Sequence, residues 1–119
     1  MPGKASPLQR LHDILDAIDK IDRYTASKGN PEKTNASMLY DAVVRNIEVI
    51  SEATRHIPAD LTSRYPDIPW RAIADIGNIL RHGYDHIRED IIWQTVEDDL
   101  PPLRKAISEM VAALEKDSR

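Results

Sequence analysis

Leu8, Leu11, Ile14, Leu15, Ile18 and Ile21 are separated by steps of three and four. That spacing gathers apolar side chains on one face of an α-helix, whereas a strand would need them at every second residue. The pattern returns with Leu39, Val43, Ile47 and Ile50, widened by Ala42, Val44 and Ala53. It returns again with Ile73, Ile76, Ile79 and Leu80 behind Trp70, and finally with Leu103, Ile107, Met110, Val111 and Leu114. Four such stripes in a chain of 119 residues predict an all-α fold, an antiparallel four-to-five-helix bundle forming a single domain over residues 1–119. Composition points the same way: Phe is absent and there are only four Gly, while helix-forming Leu, Ala, Glu and Arg are plentiful.

Local signals set the expected boundaries. Ser6 and Pro7 supply an N-cap and a first-turn proline for a helix running to about Ala26. Thr25 to Asn35, polar and containing Gly and Pro, reads as a connection. The second helix starts at about Pro31 or Asn35, runs to His56 and stops before Pro58. Asp60 to Arg64 make at most one or two turns. Pro69 takes the first position of a third helix that ends near Gly83. "DHIRED" then reads as a short connection, followed by a helix from Glu89 or Asp90 to about Asp98. Pro101-Pro102 interrupts or restarts it, and a last helix extends to about Glu115.

Several chemistries are excluded at once. There is no cysteine, hence no disulfide framework and no thiolate nucleophile or ligand. Cysteine absence fits a reducing cytoplasm. No apolar run approaches the roughly 18 residues that cross a bilayer, and "MPGKASPLQR" lacks an apolar signal core, so a cytoplasmic protein without a membrane partner is expected. A net charge of −4 argues against nucleic-acid binding by bulk charge. No Gly-rich phosphate loop and no Glu-x-x-His pair occurs. His82 and His86 stand four apart, a spacing that suits a metal on a helix face, but Gly83 between them ends the helix. Neither a metal nor a cofactor is expected.

Local arginine chemistry remains open. Between Asp41 and Asp90 every basic residue is Arg, the side chain suited to bidentate contacts with phosphate or carboxylate. Within "NILRHGYDHI", His82 at a helix end can act as a general base or acid and move protons. Arginine nearby can stabilise charge building on a phosphoryl group, and Tyr84 adds a hydroxyl. Against this stands a plainer reading, a C-terminal histidine beside the last helix carbonyls. Trp70 and Trp93 read as large core or interface anchors. Glu52 reads as a surface acid or as an arginine partner in a cleft.

Pro69-Trp70, then Asn78, His82 and Tyr84, then Ile92-Trp93, Val96 and Asp99-Leu100-Pro101 together resemble the HEPN superfamily, specifically its HepT-like toxin group. "IEVISEATRHIP", with Glu52, resembles that group's second helix. The resemblance extends over about Leu8 to Leu114. It implies a homodimeric bundle whose Arg-x(4–6)-His motifs face a shared cleft. It further implies a metal-independent ribonuclease acting on RNA. The implied partner is a minimal nucleotidyltransferase antitoxin that adenylylates the tyrosine two residues after the histidine, here Tyr84. On that basis His82, Arg81 and Asn78 are the expected catalytic residues, Tyr84 the modification site, and Glu52, Arg45 and Arg88 the supporting ones. The motif arginine would fall at residue 77, where this chain has Gly77. Adjacent helical residues point about 100° apart, so Arg81, next to His82, is not expected to replace it by position. Arg81, Arg88 and Arg45 are the candidates to reach the cleft. The alternative is a decayed module that binds a nucleotidyltransferase or nucleotide without cutting RNA.

Overall fold

The structure, a computed structural model, describes residues 6–26, 36–82 and 85–117. The side chains of residues 36, 37, 85–88 and 117 are outside that description. So are Gly83, Tyr84 and most of the expected connection after Thr25. Every regular element among the described residues is helical: α1 (Pro7–Ala26), α2 (Ala36–Arg55), the single turn α3 (Ala59–Thr62), α4 (Trp70–His82), α5 (Asp85–Gln94) and α6 (Leu100–Asp117).

The predicted cap is present at α1, where Ser6 Oγ accepts the Gln9 N–H at 3.1 Å, and the Ser6 carbonyl accepts from Arg10 N–H. Leu11, Ile14, Ala17, Ile18 and Ile21 of α1 are buried. They meet Val43, Ile47 and Ile50 of α2 on one side and Leu103, Ile107 and Met110 of α6 on the other. α4 lies on α2, to which it adds Ile73, Ile76 and Leu80. Ile79, counted in the same stripe by sequence, is instead 37% exposed. Trp70 is half-buried, and its indole N–H donates to the Tyr65 carbonyl at 3.0 Å, tying the 63–69 loop to the start of α4. Pro69 stands one residue before α4; its carbonyl accepts the Ile73 N–H. Trp93 is also half-buried and tilts against Tyr40, with ring centroids 6.3 Å apart.

Two boundaries differ from expectation. "DHIRED" is not a connection, because α5 already begins at Asp85. An acidic residue at a helix N-terminus is favourable, and nothing in that stretch breaks a helix. Nor do the prolines separate α5 from α6. Residues Thr95–Asp99 form a π-turn that runs directly into α6, with Leu100 N–H donating to the Thr95 carbonyl five residues back. Pro101 and Pro102 have no N–H for the carbonyls of Glu97 and Asp98, and their rings crowd those carbonyls. The chain therefore widens locally instead of stopping.

Candidate functional site

α2 carries Arg45, Glu48, Glu52 and Arg55 at steps of three, four and three, which places them along one face. That face looks across at the last turns of α4. Between the two helices lies a hollow of about 200 Å³, bordered by these four side chains and, from α4, by Gly77, Asn78 and Arg81.

The helices approach closely at Gly77. Ser51 Oγ accepts the Gly77 N–H at 3.0 Å and donates to the Ala74 carbonyl at 2.8 Å. Ser51 is buried, and a Cβ at residue 77 would stand only 3.2 Å from its Oγ. The missing side chain thus lets α4 sit against α2 and leaves backbone as part of the hollow's wall.

Arg81 fills part of the space so opened. One of its terminal guanidinium nitrogens, Nη1, lies 3.9 Å from where a Cβ of residue 77 would be. Adjacency to His82, about 100° round the helix, hides this relationship. Residues 77 and 81 are stacked one turn apart, and helical side chains lean toward the N-terminus. A long side chain at 81 therefore covers position 77.

Asn78 and His82 share a face by the same four-residue spacing. Both are exposed, and His82 is the last residue of α4. His82 does not border the hollow, whereas Asn78 does. His86 belongs to α5, with its side chain outside the described residues. Arg45 borders the hollow; Arg88 lies on α5 with its side chain outside the described residues, and Tyr84 lies outside them altogether. Glu52 is exposed and pairs with His56 at 3.4 Å, not with an arginine. Arg55, which sequence reasoning passed over, lines the hollow; its signal was the polar stripe it shares with Arg45. Among the described residues, Arg45, Arg55 and Arg81 form no ion pair, in contrast to Arg104, which binds Asp19 and Asp22.

Among the described residues, no helix is long and apolar enough to cross a membrane. No solved structure matches the chain significantly. Curated relatives do. The chain is 34% identical over 101 residues to "Probable ribonuclease HepT" of Thermococcus cleftensis, covering 85% of this chain and 92% of that protein. It is 33% identical over 97 residues to "Putative RNase MJ1380" of Methanocaldococcus jannaschii, covering 82% and 89%. A third relative, "Gamma-glutamylcyclotransferase and putative RNase MJ0434" of the same organism, is 33% identical over 106 residues. There the match takes in 89% of this chain but 48% of the relative, so this chain spans about half of that protein. The family profile described as Ribonuclease HepT-like matches residues 14–110. With that match over most of the bundle, the chain belongs to the ribonuclease HepT-like family, within the HEPN superfamily.

Proposed function

We propose that the protein is a metal-independent endoribonuclease and the toxin of a toxin–antitoxin pair. The observation that carries this reading is the exposed pair Asn78 and His82 on the last turn of α4, beside an arginine-lined hollow. In the reaction, the ribose 2′-hydroxyl attacks its own phosphodiester. The 2′-oxygen–phosphorus bond forms and the bond to the 5′-oxygen breaks, leaving a 2′,3′-cyclic phosphate. His82 takes the proton from the attacking hydroxyl or delivers one to the leaving oxygen. Asn78 orients the imidazole or the phosphate, and Arg81 offsets the charge that builds on phosphorus. The site is completed in a homodimer that brings two such helix ends together; exposed Ile79, one turn before His82, offers an apolar contact to the second copy.

The partner in this reading is a minimal nucleotidyltransferase antitoxin acting in the cytoplasm. It transfers AMP from ATP to the Tyr84 hydroxyl and releases pyrophosphate. The added phosphodiester and nucleoside would repel and obstruct an RNA backbone next to His82.

Gly77 favours a second reading, a module that binds without cutting. One experiment separates the two. Purified protein is incubated with RNA in EDTA and the products are analysed for 2′,3′-cyclic phosphate ends. Cleavage that His82→Ala abolishes supports the nuclease; cleavage that survives this substitution removes His82 from the mechanism. No cleavage by the unmodified wild-type dimer leaves the binding module.

A further inference from the structure

We infer that the hollow between α2 and α4 is a phosphate subsite for the RNA strand, gripped by Arg45 and Arg55 as well as Arg81. This rests on the ribonuclease reading above and adds residues to it. Three arginines border one cavity of about 200 Å³, and none is engaged in an ion pair among the described residues. Glu48 and Glu52 border the same space, yet their carboxylates do not bind these arginines within 4 Å, and Glu52 lies against His56. Three arginines against two carboxylates leave one positive charge. The grip therefore depends on directed, charge-assisted hydrogen bonds from planar guanidinium groups, for which a phosphate is well matched.

Geometry supports the same assignment. Arg45 and Arg55 are ten residues apart on α2, about 15 Å along its axis, and both border the hollow. Arg81 joins from the other helix, and it is also the sequence neighbour of His82. A strand held here would place a phosphate beside the one being cut. Gly77 keeps the wall low, and the two hydrogen bonds of Ser51 hold that wall in place. The adjoining hollow, bordered by Arg10 and Arg45 but also by Asp13, Glu48 and Glu52, has more acids than arginines and is no part of this subsite.

The test uses a labelled 2′-O-methyl oligoribonucleotide, which cannot be cleaved because its attacking oxygen is blocked. Binding to the full chain is followed by fluorescence anisotropy across a salt series, with folding of each variant checked by circular dichroism. Arg45→Ala and Arg55→Ala each weaken binding roughly tenfold and reduce the slope of log affinity against log salt by about 0.7. Arg71→Ala, an exposed arginine of α4 outside the hollow, leaves both unchanged. With cleavable RNA, Arg45→Ala and Arg55→Ala raise KM more than they lower kcat. Hollow variants that bind like Arg71→Ala overturn the subsite even if RNA is still cut. A wild-type protein that binds with this arginine dependence but never cuts overturns the nuclease and keeps the subsite. Full displacement of the oligonucleotide by an equal concentration of inorganic phosphate, at constant ionic strength, would make the hollow a free-anion site and overturn its assignment to RNA.

Discussion

The buried Ser51 hydroxyl accepts the Gly77 N–H at 3.0 Å while donating to the Ala74 carbonyl at 2.8 Å. One side chain of α2 thereby fixes the height of α4 at Gly77. A glycine in a helix ordinarily costs about 1 kcal/mol relative to alanine, so Gly77→Ala should stabilise the chain if nothing stood near. Here the new Cβ meets a hydroxyl held by two bonds at 3.2 Å. Gly77→Ala alone is expected to give no gain in Tm, whereas adding it to Ser51→Ala raises Tm above that of Ser51→Ala. A full gain of about 1 kcal/mol from the single substitution would show that Ser51 yields easily.

Ser51→Ala by itself removes both bonds from a buried position. The expected loss is about 1 kcal/mol, measurable by urea denaturation with an unchanged m-value. A change in m would point to looser packing of α4 rather than to two lost hydrogen bonds.

Arg104 of α6 binds Asp19 at 2.7 Å and also binds Asp22, both on α1. All three side chains are partly exposed, so the fork should contribute no more than about 1 kcal/mol. Arg104→Ala is expected to lower Tm at low salt and to lose most of that effect in 1 M NaCl. A double-mutant cycle with Asp19→Ala reads the coupling directly; zero coupling at low salt would reduce the fork to a geometric coincidence.

Asp99 lies in the π-turn, where partial burial first, and the neighbouring Asp98 second, push its carboxyl above the ordinary carboxylate range. The folded chain thus holds this proton more tightly than the unfolded chain does. Stability attributable to Asp99 falls as pH rises from the unfolded pKa through the raised folded one. Asp99→Asn is therefore expected to raise Tm at pH 7 and to lose that advantage at pH values low enough to protonate the carboxyl in both states. A benefit that is constant with pH would assign the effect to something other than the charge.

The Trp70 indole N–H donates to the Tyr65 carbonyl, so Trp70→Phe keeps a ring in the half-buried seat and deletes only the donor. The cost should be about 1 kcal/mol, with faster amide exchange in the 63–69 loop. Unaltered exchange there would mean that Ile68, itself buried, anchors the loop without help.

Much of this architecture is written in spacing. The stripes of α1, α2 and α6 are amphipathic over many turns, and Ser6 announces the start of α1 by a hydroxyl its helix needs. α5 was harder to see because "DHIRED" presents no apolar stripe. Most helical stability comes from packing rather than from local propensity. Gly77 was visible as a departure, but its consequence depends on Ser51, 26 residues earlier in the chain. Arg55 was not legible as a site residue because the recognisable motif lies on α4, while the cations gathering at the hollow come mostly from α2.

The widened turn at Thr95–Asp99 bears on how this rod can change over time. Two rings without amide hydrogens fix where the helix swells, and so fix the rotational phase of everything after Leu100. Losing or gaining one residue there would swing the seam of Leu103, Ile107 and Met110 about 100° around its axis, away from α1. Length variation in descendants of this chain should therefore be far rarer in those five residues than in the loop before Trp70.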